Sequence, residues 1–141
     1  MGLPLNKSGS GNARTTRLVQ MSDCHLGRDK AFTMVGINTY DSFSRVLAEI
    51  QAYAQPTPSL VAVTGDISCE GDDQAYQLFS QSMACSQLPY AWLPGNHDDF
   101  SLMAKVIAKP FAKVVELGIG SLFLWLVRCL ERRAVNCLGR S

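Results

Sequence analysis

The sequence predicts an α/β fold built on a β-α-β-α-β parallel sheet, and three observations carry that prediction. Three short apolar runs, "RLVQMSD" at 17–23, "SLVAVTGD" at 59–66 and "PYAWLPGNHDD" at 89–99, each end in polar residues, as buried strands do. The two stretches between them carry apolar side chains at helical spacing. The linkers are short, and strand–helix–strand units of that kind make parallel strands joined by right-handed crossovers.

Each element has its own justification. The opening "MGLPLNKSGSGNARTTR" lacks the apolar centre of a secretory signal, so residues 1–15 read as a mobile polar leader. After the first strand, "NTYDSFSRVLAEIQAYA" at 38–54 places Phe43, Val46, Leu47, Ile50 and Tyr53 on one helical face. Asn38 or Thr39 can cap that helix, Asp41 sits where the helix dipole favours an anion, and Pro56 lies beyond its end. The second strand is valine-rich and stops at Gly65. In "DDQAYQLFSQSMACSQL" at 72–88, Tyr76, Phe79 and Met83 share a face, with Asp72 or Asp73 as the cap. The third strand, Tyr90 to Leu93, is cut off by Pro94 and Gly95, and "FSLMAKVIA" at 100–108 predicts a short helix.

Composition narrows the function classes. A chain of 141 residues with 47% hydrophobic and 18% charged residues fits one folded domain and argues against global disorder. With 13 basic and 12 acidic residues, it has no electrostatic drive toward nucleic acid or an anionic membrane. Five cysteines without a CxxC pair suggest reduced thiols in a cytoplasmic protein. The apolar run "LGIGSLFLWLV" at 117–127 is far shorter than the roughly 20 residues that span a bilayer. Neither a GxSxG elbow nor a GxxxxGK[ST] loop occurs.

The chemistry concentrates at the strand ends. "SDCH", "TGD" and "GNHDD" all fall at carboxyl ends of consecutive strands, where open α/β sheets gather their ligands. Asp23 and His25 stand one residue apart, and in an extended strand end such positions face the same side and can share a cation. Gly65 lets the backbone turn so that Asp66 projects into a crowded site. Asn96 offers a neutral oxygen, and His97 a proton or a further ligand. Cys24 reads as a small filler. Oxygen and imidazole donors without thiolates suit manganese, iron or magnesium. Singly, each piece is ordinary turn or strand-end polarity. Together, with both of the chain's histidines in these clusters, they select a metal site.

In this order, "SDCH", "VTGD" and "LPGNHD" resemble the calcineurin-like metallophosphoesterase superfamily, whose opening signature is DxH, GD and GNH(D/E). The intervening "NTYDSFSRVLAEI" and "GDISCEGDDQAYQLF" look most similar to its bacterial 3′,5′-cyclic-AMP phosphodiesterases, and the resemblance covers residues 16 to 103. It implies the N-terminal portion of a four-layer αββα sandwich and a centre of two divalent cations, iron or manganese, with magnesium as an alternative. By position, Asp23 and His25 would bind the first metal, Asp66 would bridge both, and Asn96 would bind the second. His97 would be the catalytic group, protonating the departing sugar oxygen. His25, Asp66, Asn96 and His97 would contact the substrate, a small nucleotide, with cyclic AMP opened to 5′-AMP. Asp98 would orient His97 or hold the loop. The alternatives are another branch of the superfamily (a protein phosphatase or a nuclease) and a non-catalytic metal- or nucleotide-binding remnant.

The family's pattern continues with a later histidine and a GHxH block, whereas this chain has no histidine after His97. Residues 16–104 therefore read as a partial phosphoesterase domain that holds its ions loosely. Residues 105–141 read as a divergent tail with Arg128, Arg132, Arg133 and Arg140 after an apolar block. That tail is expected to be either out-of-frame sequence or a helical cover for the sheet edge. With the second sheet missing, one apolar sheet face is expected to stand open to water and to favour self-association.

Overall fold

A computed structural model describes residues 16–53, 56–109, 111, 114–117 and 121–123. The three apolar runs form β1 (Leu18–Met21), β4 (Leu60–Thr64) and β5 (Tyr90–Leu93), paired in parallel in the order β1-β4-β5. Leu18 stands opposite Leu60, and Val61 opposite Tyr90. The crossovers are α1 (Thr39–Tyr53) and α2 (Asp73–Ser86), and α3 (Phe100–Val106) follows β5. Because the strand order never reverses, α1 and α2 lie on one face, and α3 packs beside α2 on the same side. There Val61, Val63, Tyr90 and Trp92 pack with Phe43, Leu47, Tyr76, Phe79, Met83 and Met103.

The helix signals act as their chemistry dictates, with two exceptions. The Asn38 side chain accepts from the Asp41 N–H at 2.9 Å and caps α1. Asp99 does the same for α3, accepting from Leu102 N–H at 3.0 Å. Asp72 occupies the cap position of α2 but makes no capping bond. Its carboxylate instead meets Arg28 at 2.9 Å. On α1 the buried stripe is narrower than its spacing predicts: Phe43 and Leu47 are buried, but Val46 and Tyr53 are exposed. That helix is outermost in its layer and has α2 on one side only.

Between β1 and α1 a hairpin of β2 (Thr33–Met34) and β3 (Ile37–Asn38) turns through Val35 and Gly36, both at positive φ. Nothing in the sequence reading anticipates it.

The opposite sheet face is not left bare. Leu60, Ala91 and Leu93 are buried in a cluster with Phe111, Val115 and Leu117. The expectation of an open apolar face fails there because the chain turns around the β5 edge after α3. Phe111 marks the turn: it also touches the helix-side core, with Trp92 and Phe100 rings at 5.4 and 5.5 Å. Beyond it, β6 (Val114–Glu116) pairs antiparallel with β7 (Ser121–Phe123), so these described residues of the tail form strands and not the helical cover. The polar leader, the four arginines and most of the 117–127 run lie outside the described residues. No helix among the described residues is long and apolar enough to cross a membrane.

Candidate metal centre

Past the ends of β1 and β4 the chain keeps its parallel pairing without keeping an extended backbone. Asp23 N–H donates to Gly65 O at 3.1 Å, His25 N–H to Asp66 O at 2.9 Å and Leu26 N–H to Ile67 O at 2.8 Å. Yet Asp23, His25 and Asp66 have φ of 57°, 43° and 51°. Non-glycine residues in this left-handed region cost about 1 kcal/mol or more each and gather where function demands an orientation. Asp23 and His25 thus reach a common gap by left-handed turns and not by the pleat of an extended strand, which corrects the reason given by their spacing.

In the gap, His25 Nε2 lies 3.7 Å from Asp23 Oδ1 and 4.0 Å from Asp66 Oδ2. One donor atom from each of the three residues falls within 4.8 Å of the others. These separations exceed hydrogen-bond length. Two donors bound to one cation at about 2.1 Å each can stand up to about 4.2 Å apart, so both His25 pairs, at 3.7 and 4.0 Å, lie within the span of a shared ion. His25 Nδ1 is buried with no hydrogen-bond partner among the described residues. The Asp23 side chain is 66% exposed against 14–15% for His25 and Asp66, so the gap opens to solvent on the Asp23 side.

The third strand end closes on the second through two glycines. A Cβ on Gly65, at φ 103°, would stand 2.9 Å from Gly95 Cα, and one on Gly95 would collide with the Asp66 carboxylate. That approach lets His97 N–H donate to Asp66 Oδ1 at 3.0 Å and sets the His97 ring 5.0 Å from His25, nearly perpendicular. His97 Nδ1 lies 2.9 Å from the Cys69 carbonyl. A carbonyl only accepts, so Nδ1 carries the proton and Nε2 is left for chemistry. Asp66 therefore divides its oxygens, Oδ2 toward His25 and Oδ1 toward the 95–97 loop. Asn96 is exposed between Gly95 and His97.

Asp98 holds the loop and does not orient the His97 ring. Its carboxylate accepts from Gly95 N–H at 2.8 Å, Ser68 N–H at 2.9 Å, Tyr76 hydroxyl at 3.1 Å and Ile67 N–H at 3.2 Å. Tyr76, a core residue by its spacing, also accepts from Asp99 N–H at 2.8 Å. Burial pushes the Cys24 thiol up to about 12, with Asp98 and Asp23 adding to the effect. The Cys24 side chain packs against the helix-side core, as a small filler does.

The family model for calcineurin-like phosphoesterases matches residues 16–130, continuing past the point where the motifs give out. The chain is 38% identical over 89 residues to the Escherichia coli protein named 3′,5′-cyclic adenosine monophosphate phosphodiesterase CpdA, covering 63% of this chain and 32% of that protein. Against the Haemophilus influenzae protein of the same name it is 36% identical over 94 residues, 67% of this chain and 34% of the relative. A Nostoc protein named 3′,5′-cyclic-nucleotide phosphodiesterase is 31% identical over 90 residues, 64% of this chain and 34% of the relative. The chain spans about a third of the length of the curated relatives it matches.

Proposed function

From the premise that this chain belongs to the calcineurin-like phosphoesterase family, we propose that it binds divalent cations at its strand ends and hydrolyses a phosphodiester, with 3′,5′-cyclic AMP as substrate. The observation that carries this reading is the convergence of the Asp23, His25 and Asp66 donor atoms within 4.8 Å. The names of the relatives support the choice of substrate. Asp23, His25 and Asp66 would hold one cation, and Asp66 with Asn96 a second; iron and manganese suit these oxygen and nitrogen donors, with magnesium as an alternative. When bound, such ions neutralise phosphate charge and lower the pKa of water toward neutrality.

The chain's own residues do the rest. The proton on His97 Nδ1 is committed to Cys69 O, so a proton on Nε2 is the one available for transfer. As water adds to phosphorus with loss of a proton to solvent, and the P–O3′ bond breaks with its electron pair left on O3′, the second proton of a doubly protonated His97 ring would pass from Nε2 to that oxygen, giving 5′-AMP. The free thiols Cys24, Cys69 and Cys85 suit a reducing, cytoplasmic setting for such a substrate.

No histidine follows His97, so this chain's residues supply only a partial set of donors. Turnover is expected to be slow at micromolar metal and to rise at millimolar manganese. The test is to incubate the 141-residue protein with manganese and cyclic AMP, then with an aryl phosphodiester, and to follow 5′-AMP and phenol release. Asp66→Ala should abolish activity, and His97→Ala should lower it by roughly 100-fold or more. Turnover of the aryl ester alone would favour another branch of the family. Manganese-dependent stabilisation without turnover, lost in Asp66→Ala, would leave a binding module. Neither turnover nor stabilisation would sink the reading.

A further inference from the structure

We propose that a cleft beside His97 receives the nucleoside part of the substrate. The inference rests on the phosphodiesterase reading above. The cleft has a volume of about 320 Å³. Gly27, Arg28 and Phe32 form one wall, and Cys69, Glu70 and Asp72 the other. These are the residues that follow the two metal-facing loops. Leu26 and Ser68, which precede the two walls in the chain, pair in parallel, and Cys69 N–H donates to Leu26 O at 3.0 Å, so both walls spring from one junction.

Position ties the cleft to the reacting centre. Cys69 lines it, and the Cys69 carbonyl is the group that fixes the His97 ring. Gly27 and Arg28 stand two and three residues beyond His25, so at no more than about 3.6 Å per residue the chain keeps them within about 7–11 Å of it, a distance a ribose can bridge.

The lining chemistry assigns the two ends of the ligand. Arg28 is already paired with Asp72, which leaves the carboxylates of Asp29 and Glu70 as the unbalanced charges of the lining. Such a cleft repels phosphate and accepts hydrogen bonds from neutral donors, the ribose hydroxyls and the exocyclic amine of a base. Phe32 is half-buried and lies against Gly27, where a Cβ would collide with its ring. A ring held against backbone in this way is a platform on which a base stacks. The phosphate thus goes to the strand ends and the nucleoside to the cleft.

The test uses amide chemical shifts of the isotope-labelled 141-residue chain with saturating magnesium, titrated with adenosine and separately with inorganic phosphate. Adenosine should shift the amides of Gly27–Phe32 and Cys69–Asp72. Phosphate should shift those of Asp23–His25 and Gly95–His97 instead. Phe32→Leu keeps the apolar volume and removes the ring, and should weaken adenosine at least fivefold while phosphate shifts stay as in the parent. Adenosine shifts that are absent or fall outside the two loops would overturn the inference. So would a Phe32→Leu protein that binds adenosine like the parent. Failure of the phosphodiesterase reading registers separately, as loss of manganese stabilisation and of cyclic AMP turnover.

Discussion

Asp98 and Tyr76 show how much of a candidate site can rest on side chains that bind the backbone of its loops. The carboxylate gathers donors from both the second and the third strand ends, and the Tyr76 hydroxyl joins that cluster to α2. Tyr76→Phe removes one donor to Asp98 and the acceptor of Asp99 N–H, at a cost of about 1–2 kcal/mol. Burial first, and the Asp98 charge second, raise the Tyr76 hydroxyl above its ordinary value. The unfolded chain therefore loses this proton at lower pH than the native one. Stability from this group is complete below about pH 10, the ordinary tyrosine value, and drains away as pH rises through the native value. Urea midpoints at pH 8 and pH 11 should fall more steeply for the parent than for Tyr76→Phe; parallel falls would reject the account. The sequence announced Asp23, His25, Asp66 and His97 because two histidines among three strand-end clusters are hard to place by accident. It could not announce Cys69, which acts through a carbonyl that every residue has. Nor could it settle Asp98, whose role depends on which donors face it.

At the scale of elements, the site exists because two loops and a turn approach more closely than side chains allow. Gly65 and Gly95 face one another, and the Asp66 carboxylate fills the space a Gly95 side chain would need. Gly95→Ala should cost about 1–3 kcal/mol through overpacking. It should also displace Asp66 and so erase the manganese-dependent rise in melting temperature. Thermal melts with and without manganese read both effects, and a variant that melts and responds like the parent would contradict this packing. The strands and helices were readable because an apolar run and a 3.6-residue stripe are distinct patterns over several residues. The β2–β3 hairpin was not, since two-residue strands have no period. Its turn also uses Val35, a β-branched residue at φ 50°, where an Asn-Gly pair would have signalled it. The convergence of Asp23 with His25 was foreseen for the wrong reason, because left-handed dihedrals leave no trace in residue spacing.

For the whole molecule, the question is what keeps a three-stranded parallel sheet covered. Such sheets need cover on both faces. The helices supply one, with Trp92 wholly buried and its Nε1–H bonded to Lys109 O at 2.7 Å. The other depends on a few residues after α3, and Phe111 anchors them by packing on both sides of the β5 edge. Leu18, at the far edge of the sheet, is 45% exposed, so apolar area already faces water there. Phe111→Ser should free the segment and uncover Leu60, Ala91 and Leu93, joining them to a larger apolar patch of the kind that drives association. Sedimentation velocity at equal concentrations should then show a higher mean mass for the variant than for the parent, with the difference growing as concentration rises. Equal masses at every concentration would mean that other parts of the chain cover this face. The strand ends would feel the change as well, since Leu93 lies two residues before Gly95. A loosened β5 should weaken manganese binding along with the sheet's cover, tying the cover on the far face to the site at the sheet's edge.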